Sequence, residues 1–569
     1  MLKLIKGGLI WISVSSVLFM VACGGGGSNA NVSLPGGGSG GSGGGGSTTY
    51  SGSNGGGAGS GGPVFQSFFG MNQPILSPCQ ADGGAFTDAP ISAVRYFDTC
   101  DIQWPDLEPS QGVFDFSNLD GVMSAASAAG VNDVMIEAHR VPQWISSNPS
   151  DIDCDQANVN GIAPGGCDPP TDLNPDGTGT DASFIGYVQA LLTHAVQQKY
   201  PLKYFEIFEE FHRSDTLGGV TQCVPPHSSS GEPCSWRGTF AQMLRMTQDL
   251  RCIAKGNASD VITATGATCG SFGQPGVDYD IMPSLMVYAG NAGPDPQYDH
   301  GAVVMANYLY CNQNPPPASM CNYGSAGSAA DDVIEGHYYF NSSAANYPET
   351  ALSAIATQNG YFSTADLSKP YFVGEGSWGQ NSNVTDAGLQ AAYVARWYLS
   401  LWMTRTQPGG AQGTNLQRGY WYSWNLSGES GLSGLWSPTS DTFGNCTTAD
   451  PNADGGFYCA AGVAYNQMVI WLRNATAVSW SCPDTTCTNQ TPGVYTFTIT
   501  GNNGYEGIVA WDSTAISSCP TVPCGTTAVP TLPGLTVSQW RDLTGTTHAG
   551  APSAIGASPI IIENMVPPS

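Results

Sequence analysis

The sequence predicts an α/β chain: a (β/α)8 TIM barrel followed by a small C-terminal β-sandwich domain. Three observations predict this. Eight strand-like runs alternate with helical runs between residues 63 and 473, and such alternation gives parallel strands joined by crossover helices. The stretch "FFGMNQPILSPC" after the first strand carries no Gly-rich nucleotide-binding turn, which argues against an open doubly wound sheet. From residue 474 to 569 the pattern changes to short alternating strands such as "GVYTFTITG" and "YEGIVAWD", parted by Gly, Pro, Thr and Asn, as in a β-sandwich.

The strand-like runs are 63–72, 91–98, 132–139, 202–210, 260–268, 332–340, 370–376 and 419–425. The helical runs include "LDGVMSAASAAG", "DASFIGYVQALLTHAVQQKY", "SWRGTFAQMLRMTQDLRCIAKG", "ALSAIATQNG" and "DAGLQAAYVARWYLSLWMTR", with "GVAYNQMVIWLRN" closing the barrel. Their apolar residues recur at three- and four-residue spacing, the period of a helix with one buried face.

Residues 1–62 read differently. Two lysines in "MLKLIKGG" precede the apolar run "LIWISVSSVLFMVA", which has the length of a signal-peptide core and falls short of a membrane span. The run ends in "MVAC", Met20 to Cys23, which resembles the lipobox of bacterial lipoproteins. That resemblance implies removal of residues 1–22, lipidation of Cys23 and export. Because Gly24 is not a retention-type Asp, it also implies an outer-membrane anchor facing periplasm or cell surface. An ordinary signal peptide cut nearby is the alternative. Residues 23–62 read as a Gly/Ser tether, with an r.m.s. reach of roughly 35 Å, so the protein is expected to be anchored to a membrane and not to span it.

The chain has 569 residues, with 17 Lys and Arg against 44 Asp and Glu, a formal net charge of −27. Such a surface repels nucleic acid and anionic lipid headgroups. Most of the carboxylates are read as solubility groups. Apart from Cys23, sixteen cysteines remain and fall into eight pairs of sequence neighbours. Export and an even count predict disulfides, and the spacings lack the C-x2-C knuckles of zinc sites.

In a barrel the chemistry sits at the C-terminal ends of the strands. Those ends carry Arg95, His139, Glu209 with Glu210, His337 with Tyr339, Glu375, and Trp421 with Trp424. Two carboxylates on separate strands, with histidines and aromatic rings between them, are the inventory for glycoside hydrolysis. One carboxyl protonates the leaving oxygen and the other attacks the anomeric carbon, while flat aromatic faces stack on sugar rings. A metal hydrolase built on "EEFH" is the rival, but no H-E-x-x-H motif accompanies it, and no G-x-S-x-G elbow supports a serine triad. Neither a metal nor a cofactor is expected.

Several segments in order resemble clan A glycoside hydrolases, in the style of families 5, 30 and 39. "AVRYFDTCDIQWPDLEPSQGVFDFSNLDG" resembles the strand-two Arg and the Trp, Glu-Pro and Gly that follow it, and "HRVPQWIS" resembles the strand-three Pro-x-Trp turn. "YFEIFEEFH" lines up with the strand-four signature aromatic-Glu-Ile-Trp-Asn-Glu-Pro-Asn, "KPYFVGEGSWG" with the strand-seven nucleophile segment, and "GYWYSWN" with the strand-eight Trp region. The resemblance spans roughly residues 64–473. It implies a retaining enzyme with Glu210 as acid/base and Glu375 as nucleophile. Glu209 stands where the family has Asn, a hydrogen-bond donor to the sugar, and a glutamate only accepts unless protonated.

Arg95, His139, Glu209, His337, Tyr339 and Trp424 complete the expected substrate-binding set. Glu206 is read as a structural carboxylate inside the barrel. Trp424 is either a sugar platform or a core plug, with Trp421 in reserve. The expected partner is a polysaccharide or oligosaccharide, cleaved internally by a monomeric enzyme. A non-catalytic glycan-binding lipoprotein on the same scaffold is the alternative, motivated by Glu209.

Overall fold

The computed structural model describes residues 64–73, most of 91–211, 235–255, 326–340, 348–405, 415–425, 433–473, 475–514 and 527–566, with short gaps, together with the short segments 58–60, 75–76, 80–81, 280–282 and 308–311. Cys23, His139, Glu209 and the strand expected at 260–268 lie outside the described residues.

The larger sheet has eight strands: β1 Phe69–Asn72, β2 Ala93–Tyr96, β3 Asp133–Glu137, β4 Leu202–Glu206, β5 Asp280–Met282, β6 Ile334–His337, β7 Pro370–Gly376 and β8 Asn415–Trp421. Their hydrogen-bonded order is β5-β4-β3-β2-β1-β8-β7-β6, and each described pairing is parallel. Strand neighbours in space are neighbours in the chain, and β8 returns to β1, which is the circular order of a (β/α)8 barrel. The strand beside β4 comes from Asp280–Met282. Between the strands run α1 Ser117–Ala128, α2 Ala182–Gln198, α3 Phe240–Lys255, α4 Thr350–Asn359 and α5 Ala387–Met403, and α6 Ala460–Leu472 follows β8. Each falls within an expected helical run or overlaps it. Helix α5 begins where the Asp386 side chain accepts the Leu389 N–H at 2.9 Å, a side-chain cap for an otherwise orphaned donor.

Most described strand residues are buried whichever face they point to, so side-chain alternation sorts them between barrel interior and helix layer. Ala93, Met135, Val333, Phe372 and Tyr420 form one apolar cluster. Two residues further along the same strands stand Arg95, Glu137, Glu335 and Tyr422. The interior therefore has an apolar layer at mid-height, with a buried Arg418–Asp133 ion pair on its N-terminal side, and is strongly polar towards the C-terminal ends.

The C-terminal residues build one antiparallel sheet. Its strands are β9 Ala477–Ser481, β10 Val494–Thr500, β11 Glu506–Asp512, β12 Gln539–Arg541, β13 Thr547–Ala549 and β14 Ile560–Glu563. A seventh strand, Ala58–Ser60, pairs with β9. It lies within the stretch 23–62 expected as a tether: an edge strand needs only backbone N–H and C=O groups, and Ala-Gly-Ser supplies them without side-chain signal. Both faces of the sheet are covered. Tyr495, Phe497, Ile499, Val509, Trp511 and Ile561 join the barrel's core. Ala510, Trp540, Ile560 and Ile562 pack with Ile555 and the segment holding Val529, Leu532, Leu535 and Val537. Trp511 Nε1 donates to Glu349 Oε1 at 2.7 Å, and Arg396 on α5 grips both oxygens of Glu349 at 2.7 Å, so a buried ion pair ties sheet to barrel.

The disulfides Cys154–Cys167, Cys446–Cys459 and Cys482–Cys487 join sequence neighbours as expected, and Cys252 is also disulfide-bonded. The remaining expected pairs each include a residue outside the described ones. Among the described residues no helix is long and apolar enough to cross a membrane.

Candidate active site

The site grows from Arg95, which is fully buried. Its Nε and Nη2 donate to the two oxygens of Glu206 at 2.5 and 2.7 Å, and its Nη1 donates to Glu375 Oε1 at 2.5 Å and to Asn72 Oδ1 at 3.1 Å. Asn72 in turn donates to the Gly374 carbonyl at 2.9 Å, so β1, β2, β4 and β7 are locked together. The guanidinium lies 4.3 Å over the Phe97 ring. Burial alone disfavours its charge, but Glu206, Glu375 and Glu335 outweigh that and hold Arg95 above its ordinary range. Glu206 is the scaffold carboxylate expected: burial pushes its pKa up and Arg95 pulls it back.

Glu375 sits at the end of β7, beyond an irregularity in the pairing with β6 between Val373 and Glu375. An extra residue in one strand re-aims the side chain that follows, and here the carboxyl turns into the barrel. Its second oxygen accepts from the Tyr339 hydroxyl at 2.5 Å. Burial, with Glu375 next in weight, raises Tyr339 well above a usual phenol, so it remains a donor. Both oxygens of Glu375 thus receive strong donors, an arrangement suited to an anion.

Glu210 is placed differently from the expectation. Strand four was expected over 202–210, ending in both glutamates, but β4 ends at Glu206, where its partners Glu137 and Met282 also end. The chain then leaves the sheet, and Glu210 adopts a φ of 43°. Left-handed backbone at a residue other than Gly is strained and recurs at functional sites. This conformation returns the carboxyl to the barrel mouth, where Oε1 meets His337 Nδ1 at 2.9 Å. His337 Nδ1 is also 3.6 Å from Glu375 Oε2. Burial opposes a charge on His337, but Glu375, Glu210 and Glu335 prevail and push its pKa up to about 10.

Glu210, His337 and Glu375 each offer an atom within 4.8 Å of the others. Carboxyl and imidazole are ligand types a divalent ion accepts. Here the negative charge is already met by the protein's own cations, Arg95 on Glu375 and the His337 imidazolium between the two glutamates.

Arg95, Glu210, His337, Tyr339 and Glu375 are therefore brought together. Trp424 is not among them. It is fully buried, its ring edge-on to Tyr458 at 6.0 Å, so it is the core plug of the two readings and offers no open face to a sugar. Trp421 is also fully buried and donates Nε1 to the Ser433 carbonyl at 2.8 Å. The aromatic residue of this strand end that reaches the site is Tyr422, half-buried, 6.3 Å from the Tyr339 ring and 6.0 Å from Phe97. Sequence reasoning missed it, although Tyr422 shares the alternation of Arg418 and Tyr420. Asn72, Phe97 and Glu335 were missed too.

The glycoside hydrolase 42 family model, described as beta-galactosidase, matches residues 88–165. That stretch holds β2, β3 and the segment between them, and the match supports the clan A resemblance drawn from the motifs. No curated protein matches the chain. Among solved structures, a family 39 glycoside hydrolase from Bacteroides cellulosilyticus WH2 is similar at 12% identity and a TM-score of 0.48, covering 88% of this chain and 81% of that one. A conserved exported protein from Bacteroides fragilis is similar at 11% identity and a TM-score of 0.49, covering 88% and 98%. A monomeric beta-xylosidase from Caulobacter crescentus CB15 is similar at 11% identity and a TM-score of 0.48, covering 89% and 97%. The barrel itself rests on its own strand order.

Proposed function

We propose that the protein is a retaining glycosidase acting on β-linked polysaccharide, with Glu375 as nucleophile and Glu210 as acid/base. The observation that carries this reading is the proximity of the two carboxylates, which have oxygens within 4.8 Å of each other across the barrel mouth. Retention works at a carboxyl separation of about 5–5.5 Å, whereas inversion needs about 6.5–9.5 Å to admit a water. In the first step Glu375 forms an ester bond to the anomeric carbon as the glycosidic C–O bond breaks. The Glu210 proton passes to the leaving oxygen. In the second step Glu210 takes a proton from water, whose oxygen attacks the anomeric carbon and displaces Glu375. Two displacements restore the original configuration.

Arg95 and Tyr339 hold the nucleophile in place, and Tyr422 offers a ring face beside it. Glu209 is proposed to contact the sugar where the family has Asn.

Activity screening on β-glucans, mannans, xylans and β-galactans tests the reading, with reducing ends as the measurement. Glu210→Gln is expected to slow turnover by roughly 10²- to 10⁴-fold, the contribution of general acid–base catalysis. Aryl glycosides whose leaving group needs no proton are expected to suffer less in the first step. Binding without turnover on every substrate would contradict the proposal, as would a Glu210→Gln variant of unchanged rate.

A further inference from the structure

The mechanism above leaves Glu335 unused. This residue is fully buried inside the barrel on β6, on the same face as His337 two residues later. Neither of its oxygens has a hydrogen-bond partner among the described residues. Its nearest cationic groups are His337 Nε2 at 3.7 Å and Arg95 Nε at 4.0 Å. A buried carboxyl without hydrogen bonds is unfavourable to folding, so fold stability alone does not account for it.

The neighbouring strand makes room for it. A Cβ on Gly374 would fall 1.4 Å from Glu335 Oε1. The carboxyl thus occupies space that exists only because the residue before the nucleophile has no side chain.

We propose that Glu335 is a positioning residue that holds His337 as the cationic hydrogen-bond donor to Glu210. The groups facing His337 are Glu210 from the loop after β4, Glu206 on β4, Glu375 on β7 and Glu335 on its own strand, with Arg95 on β2 and Tyr339 close by. Three of these carboxylates favour the imidazolium, but two change state during double displacement. Glu375 loses its charge when it becomes an ester, and Glu210 alternates between acid and base. Glu335 touches no reacting atom, so its contribution persists through both steps. It acts on the Nε2 edge, while Nδ1 serves Glu210. The pattern is that of a third group orienting a catalytic partner.

The catalytic consequence rests on the glycosidase reading; the effect on His337 does not. The test is a ¹³C/¹⁵N NMR titration of the histidines in the full chain, with His337 assigned by comparison with His337→Gln. In the wild type, His337 is expected to stay charged well above its ordinary pKa of 6.5. Glu335→Gln is expected to lower its midpoint by about 1–3 units, the effect of removing one close opposite charge, and Glu335→Asp to recover part of that shift. On an activated aryl glycoside Glu335→Gln is expected to lower kcat on the order of 10-fold, the scale seen when a histidine loses its outer partner, with kcat/KM less affected because the second step suffers more.

A wild-type midpoint near 6.5 would overturn the proposal even if the variants fail to fold. So would an unchanged midpoint in Glu335→Gln. Absence of turnover on every glycoside would sink the glycosidase reading and leave the titration result standing.

Discussion

Glu375→Gln is expected to lower kcat by roughly five to six orders of magnitude, the scale on which loss of a covalent nucleophile is felt. The substitution keeps the volume of the side chain and one acceptor oxygen, so the fold is expected to survive. What it removes is the anion that Arg95 and Tyr339 hold at 2.5 Å on either side. An amide has no charge to deliver to the anomeric carbon. In Glu375→Ala, which opens that space, azide is expected to restore part of the rate by attacking from the vacated face, and the glycosyl azide formed would have inverted configuration. A Glu375→Gln rate within roughly tenfold of the parent, a barrier change of only about 1.4 kcal/mol, would contradict the assignment.

Arg95→Met is expected to be the most damaging substitution for stability, at about 3–5 kcal/mol, because breaking a buried ion pair strands the charge of its partner. Arg95 serves Glu206, Glu375 and Asn72 at once and joins four strands. Arg95→Lys is expected to fall between, since a lysine keeps the charge but lacks the planar fork that grips both oxygens of Glu206. Urea unfolding followed by tryptophan fluorescence measures this. A cost of about 0.5 kcal/mol or less, as for an ordinary surface substitution, would show that the network is not what holds the barrel mouth together.

The parts of this site legible in the sequence are those that follow from period and order. Alternating strand and helix runs, helical spacing, and polar residues at strand ends were enough to find the barrel and to bring Arg95, Glu210, His337, Tyr339 and Glu375 forward. What was not legible depends on partners distant in the chain. Ile207 and Phe208 look like more strand, but β4 stops at Glu206 because Glu137 and Met282 on either side stop there. The turn that returns Glu210 to His337 is a backbone event with no composition signal. Ala58–Ser60 gave no strand signal because an edge strand can be built from backbone alone. Trp424 attracted attention as the larger ring, and it shares the period of Tyr422, so alternation did not separate the two; β8 ends at Trp421, and the chain beyond it leaves Tyr422 at the site and Trp424 in the core. Glu335 was passed over because it lies inside the barrel below the strand ends, in space left by Gly374 on another strand.

Treating the full chain with activated 2-deoxy-2-fluoro β-glycosides of gluco, galacto, manno and xylo configuration, followed by intact mass and peptide mapping, tests the central claim most directly. The fluorine slows both displacements, and the good leaving group restores the first, so the covalent intermediate accumulates. The predicted result is a mass increase of one fluoroglycosyl unit with at least one of the sugars, located on Glu375 and absent from Glu375→Gln. Turnover of a natural β-glycoside without any adduct, and with the product anomer inverted by NMR, would contradict it.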